Sequence, residues 1–163
     1  MIKFNKVILT TDLSSNADAA APYAIELARH YGGTVYMLHV FEDTIYFSGD
    51  GLEGPNAVDW LESAYDEHER RLKERARTLP TTENVSIVPV MLRGQPASQI
   101  SAFAKEKGAD CIVIATHGRT GLSRFVFGSV TERVMHMSPC PVVTVHPDVI
   151  VPERPEMLET AGV

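Results

Sequence analysis

The stretch "CIVIATHGRTGLSRFVFGSVTERVMHMSPCPVVTV", residues 111–145, holds one complete strand–loop–helix–strand unit. Cys111 to Ala115 is an apolar, β-branched run of strand length without polar alternation, as expected of a strand covered on both faces. A polar loop bearing Gly118 follows, and Gly128-Ser129 then opens a helical pattern over Ser129 to Met137. Pro141 to His146 is the next apolar run. Glycine lets backbone amides approach an anion without a Cβ in the way, and a helix N-terminus offers unpaired N–H groups and a partial positive charge. Ser129 adds a hydroxyl at that mouth, and His117 and Arg119 are either charge partners of a ligand or plain loop residues. On residue types alone, a phosphate site and an ordinary strand-to-helix turn fit equally.

The same unit recurs upstream. Lys6 to Thr11 reads as a doubly covered strand. Ser14 or Ser15 can then cap a helix whose small apolar stripe is Ala17, Ala21, Ala24, Ala28 and Tyr31, with Gly32-Gly33 as its stop. Pro22 is tolerable only in the opening turns of that helix. Thr34 to Phe41 is the second strand. A Gly/Asp-rich connection, residues 42–56, leads to a helix with Val58, Leu61, Tyr65, Leu72, Ala76 and Leu79 on one stripe. Val85 to Leu92 is the third strand, and Pro89 inside it predicts a position at the sheet edge. Pro96 opens a further helix that Gly108 closes. The alternation βαβαβαβαβ predicts an α/β domain, a doubly wound and mostly parallel open sheet with helices on both faces. We take residues 1–147 as one domain and the Pro- and Glu-rich residues 148–163 as a C-terminal extension.

Composition narrows the function classes. The 163 residues carry a formal net charge of −6, with 44% hydrophobic and 22% charged residues. No basic stripe appears, which argues against nucleic acid as a partner. No apolar run approaches the roughly 20 residues that span a bilayer, and the first residues read as a strand rather than a signal peptide. Cys111 and Cys140 form neither a disulfide framework nor a metal pair. They read as reduced core thiols of a cytoplasmic protein. Neither a Walker loop nor a GxGxxG follows a strand.

"HGRTGLSRFVFGSVTERV" followed by "SPCPVVTV" resembles the universal stress protein family. That family's ATP-binding members carry Gly, two residues, Gly, nine residues, then Gly-Ser or Gly-Thr. Gly118, Gly128 and Ser129 match in register, whereas Ala115 stands at the first glycine. "VILTTDLS" places Asp12 at the family's ribose-contacting aspartate, with Thr10 where those members often have proline. "MLHVF" matches the strand end whose valine backbone, here Val40, meets adenine, and "RGQPASQI" resembles the family's G-x-P helix start. The resemblance covers residues 4 to 146 and implies a five-stranded sheet in the order 3-2-1-4-5. It implies an ATP-binding stress-response or regulatory protein in which a triphosphate lies along Gly118 and Arg119 and on the N–H groups of Gly128, Ser129 and Val130, with Mg²⁺ bridging its oxygens. No catalytic residue is expected, beyond the slow ATP turnover of parts of the family. The alternative is a dimeric interaction module of the same fold that holds no nucleotide.

Blander roles stand beside these. Asp12 could cap the first helix, which the family register outweighs in favour of ribose contact. His39 and His146 read as packed or surface residues, since no two histidines have zinc spacing. Ser129 lacks a partnered base and a GxSxG elbow, and Trp60 is expected to pack. In the order 3-2-1-4-5 the fifth strand is an edge. Val142, Val143 and Val145 leave it apolar and unguarded, which predicts a two-fold antiparallel homodimer there. The family commonly pairs this way.

Overall fold

Four parallel pairings join β1 (Lys6–Thr10), β2 (Thr34–Phe41), β3 (Ser86–Arg93), β4 (Cys111–Ala115) and β5 (Val142–Val145) into one sheet of order β3-β2-β1-β4-β5. The structure, a computed structural model, describes residues 2–43, 57–80, 84–116 and 128–147. The connection around residues 44–56, the loop residues His117, Gly118 and Arg119, and the extension from 148 onward lie outside the described residues.

The central strand explains the unbroken apolar runs. Val7, Ile8 and Leu9 of β1 are fully buried, but alternate residues face opposite layers. Val7 and Leu9 join Val35, Met37, Cys111 and Val113 under α2 (Ala21–Arg29) and α3 (Ala57–Thr78), which contribute Ala24, Ala28, Leu72 and Ala76. Ile8, Leu38, Ile112 and Ile114 face α4 (Pro96–Lys107) and α5 (Ser129–Met137), which contribute Ala97, Ile100, Ala104 and Val134. Each large side chain so covered stabilises the fold by about 1.5–3 kcal/mol. The helices therefore lie on both faces, as the pattern predicts.

The single helix expected after β1 is divided. Ser14 caps α1 (Ser15–Asp18) by accepting the Ala17 amide, and α2 then starts afresh with Pro22 in its first turn. A proline ring in an unbroken helix would strike the carbonyl four residues back, and the division avoids that clash. Tyr31 falls beyond α2 and is exposed, donating its hydroxyl to Ile2 O at 3.2 Å.

The α3 stripe also needs correction. Leu61, Leu72 and Ala76 are buried, but Val58 in the first turn is 62% exposed. Trp60 is 45% exposed, because it lies about 100° round the helix from Leu61. Pro89 sits on β3, which among the described residues pairs with β2 alone, so the edge position holds. Cys111 is buried on the α2/α3 face, while Cys140 is half-buried and packs against the α4/α5 cluster. Both thiols are free.

Candidate functional site

The chain reverses its direction of winding between β1 and β4, and the carboxyl ends of these neighbours form one rim of the sheet. At the first of them, the Thr11 amide still donates to Leu38 O at 2.9 Å, so the ladder runs one bond past Thr10. The backbone then turns sharply. Leu13 takes a left-handed φ of 62°, held by its buried side chain and by its amide bond to Thr11 Oγ1 at 3.0 Å. Asp12 is half-buried on this turn, and its Oδ1 accepts the Ser14 amide at 3.0 Å and the Ser14 hydroxyl at 2.5 Å. Asp12 thus braces the helix cap, although the cap itself is Ser14.

Helix α3 holds the same turn from behind. Arg71 donates to Leu13 O and Arg75 to Ser14 O, both at 3.3 Å, and Arg75 pairs with Asp18 at 3.0 Å. Burial raises the Asp18 carboxyl above its ordinary range; Arg75 opposes this, and the nearby Asp12 charge adds to it.

The second half of the rim is β4 and the start of α5. Thr116 donates its amide to Val145 O and accepts the Gly128 amide on its carbonyl, both at 2.8 Å. The chain therefore leaves the sheet and re-enters α5 at one point. Gly128 is the N-cap, and a Cβ there would lie 3.2 Å from Thr116 O, a tight approach that glycine relieves. Thr131 completes the corner: its buried hydroxyl donates to Ala115 O at 3.0 Å. Because the Gly128 amide is spent on Thr116, the unpaired first-turn donors of α5 begin at Ser129, not at Gly128. Ser129 is exposed and Val130 half-buried.

The structure thus brings Thr10, Asp12, Ala115, Gly128, Ser129 and Val130 to adjoining strand ends, with Val40 near the end of β2 on the other side of β1. His117, Gly118 and Arg119 lie outside the described residues. Thr116, Thr131, Arg71 and Arg75 were not singled out from sequence. Thr131 left one signal, a hydroxyl two positions after the Gly-Ser pair, in the first turn of a helix. The two arginines left none, since they act across 58 and 61 residues of chain.

Among the described residues no group of three or more His, Cys, Asp or Glu could hold a metal ion, and no helix is long and apolar enough to cross a membrane. A model of the Universal stress protein family matches residues 3–146.

This chain belongs to the universal stress protein family.

It is 32% identical over 142 residues to a universal stress protein of Methanocaldococcus jannaschii, covering 87% of this chain and 82% of that one. Among solved structures, the universal stress protein UspA from Lactobacillus plantarum superposes with a TM-score of 0.74 at 24% identity, over 88% of this chain and 98% of that one. Two universal stress proteins solved with nucleotides share the fold. One is in complex with cAMP, at a TM-score of 0.58 and 21% identity over 89% of this chain and 98% of its own. The other, from Archaeoglobus fulgidus, is in complex with dAMP, at 0.51 and 22% over 88% and 98%.

Proposed function

We propose that this universal stress protein binds an adenine nucleotide at the rim formed by the ends of β1, β2 and β4, with ATP as the ligand. The observation that carries this reading is the meeting of the Asp12 turn with the first turn of α5 at the reversal point of the sheet. One side offers a carboxylate suited to ribose hydroxyls. The other offers backbone N–H groups and a helix dipole suited to phosphate. The cAMP and dAMP complexes of proteins with this fold support an adenine nucleotide as the class.

In this reading Val40 presents backbone to the adenine, and the Thr10–Asp12 segment holds the ribose. Ala115 stands against the sugar–phosphate junction. The amides of Ser129 and Val130, together with His117, Gly118 and Arg119, take the phosphate oxygens. Mg²⁺ would accompany the triphosphate and offset the charge of its oxygens. The protein acts as a nucleotide-dependent stress regulator in the cytoplasm and turns ATP over slowly, if at all.

Mass spectrometry of nucleotide released from the purified, denatured protein tests the class, and titration calorimetry with ATP and Mg²⁺ tests the site. Gly118→Val should lower ATP affinity at least about tenfold, or about 1.4 kcal/mol, with the fold intact by circular dichroism. A folded variant of unchanged affinity would remove the phosphate assignment. A wild-type protein that neither releases nor binds adenine nucleotide would leave the alternative, an interaction module without a nucleotide.

A further inference from the structure

The carbonyl that begins the Asp12 turn is held by a histidine. His39, on β2 and 5% exposed, places Nδ1 at 2.8 Å from Thr11 O. Its Nε2 lies 2.9 Å from Nδ1 of His68 on α3, with the ring centroids 5.1 Å apart. A carbonyl oxygen only accepts, so His39 Nδ1 carries a hydrogen. In the neutral pair His39 Nε2 is then the acceptor and His68 Nδ1 the donor. The tautomers of both rings follow from this one carbonyl.

The chain of bonds tolerates one added proton. A proton on His68 Nε2 leaves its Nδ1 still donating to His39. A second proton puts two N–H groups nose to nose across 2.9 Å and two positive rings 5.1 Å apart, and the bond between β2 and α3 is lost. The consequence reaches the rim because α3 also grips Leu13 O through Arg71 and Ser14 O through Arg75. Thr11, Leu13 and Ser14 are all held by α3 or by the ring bonded to it.

We propose that the His39–His68 pair is a positioning element of the nucleotide site, which keeps the Asp12 turn in binding geometry at neutral pH and loosens it when the second proton arrives. This rests on the nucleotide reading above. Among the described residues, the charged and titratable groups near the pair come from α3, the β1 turn and the ends of β2 and β3. On α3 they are Glu67, whose carboxylate interacts electrostatically with the His68 ring, and Arg71 one turn further on. From the β1 turn comes Asp12, beside Thr11. Also on α3, Tyr65 packs on Phe41 of β2, the edge partner of the His68 ring, and Arg93 of β3 lies over Tyr65, clamped by Glu62 of α3. Glu67 favours the first proton.

The test uses the whole chain, with ATP and Mg²⁺ as the probe. Calorimetry should show affinity steady near neutrality and about fivefold weaker once pH falls from about 7.5 to about 5.5. In the ligand-free protein, hydrogen-exchange protection of the Leu13 and Ser14 amides should fall in step, and imidazole ¹⁵N shifts should report two coupled protonations. His68→Asn keeps a donor at the Nδ1 position without a titrating ring, and should hold both readouts flat with pH. His68→Phe should weaken binding at every pH. His39→Asn, which keeps a donor towards Thr11, is a second arm should His68→Asn fail to fold; it too should lose the acid response. Independent titration of the two rings overturns the proposal, as does an acid response in His68→Asn equal to that of the wild type. Absence of ATP binding at any pH would sink the nucleotide reading instead, and the exchange and imidazole measurements would still decide whether the pair controls the turn.

Discussion

Replacing Thr131 with valine changes almost no volume, yet it removes the hydroxyl that donates to Ala115 O. A buried acceptor that loses its donor costs about 1–2 kcal/mol, so Thr131→Val should melt a few degrees lower in calorimetry. It should also weaken ATP binding, because the bond sets where the first turn of α5 sits against β4. An unchanged melting temperature would show that Ala115 O is satisfied equally well without it. At this scale the sequence was half legible. Asp12, Gly128 and Ser129 lie at the carboxyl-end rim of the sheet. The residues that hold them do not advertise themselves, since Arg71, Arg75 and the His39–His68 pair act over separations that no local pattern encodes. The Gly128 amide shows the same limit: the motif offers it to a phosphate, but its hydrogen bond belongs to Thr116.

Among the secondary-structure elements, β5 carries the assembly prediction, and the ladder decides which residue tests it. Ile112 and Thr116 donate to Pro141 O and Val145 O, so these carbonyls point at β4. By the two-residue period of a strand, the polar groups of Val143 point the same way, and those of Val142 and Thr144 point outward. The exposed edge is therefore presented by Val142 and Thr144. Thr144→Pro removes an outward N–H, leaves the β4 ladder whole, and should shift a homodimer to monomer in sedimentation velocity. Val143→Pro would instead break the pairing with β4 and should destabilise the chain. A wild-type monomer at micromolar concentration would defeat pairing through this edge. The strands were legible because three-layer burial leaves continuous apolar runs, and their bounds were missed by a residue or so where a terminal amide still joins the ladder. The divided helix after β1 was hinted at only by Pro22. The exposure of Trp60 and Val58 escaped because a helical stripe records spacing but not where cover begins.

Across the whole molecule, Cys111 is fully buried while Cys140 is half-buried, and Cys111 becomes a reporter of global opening. Burial pushes its thiol up to about 12, with the nearby Cys140 and Asp110 adding to the effect. The folded state therefore holds this proton through a range in which the unfolded chain, with an ordinary value near 9.0, releases it. Stability attributable to this group is complete below about pH 9 and declines as pH rises towards 12. At pH near 8, alkylation should label Cys140 first, and Cys111 only at the rate of unfolding; equal labelling in the native protein would contradict the burial. Fold order was legible at this scale through family resemblance, whereas alternation alone gave only a parallel, doubly covered sheet. The bond between Thr116 and Gly128 has a further outcome for how such a protein diversifies. It staples the two ends of residues 117–127 together before those residues are counted, so the entropy of closing that segment changes by only about 0.6 kcal/mol for each doubling of its length. On this term alone, chain inserted or removed between those two anchors should shift the melting temperature of the frame little.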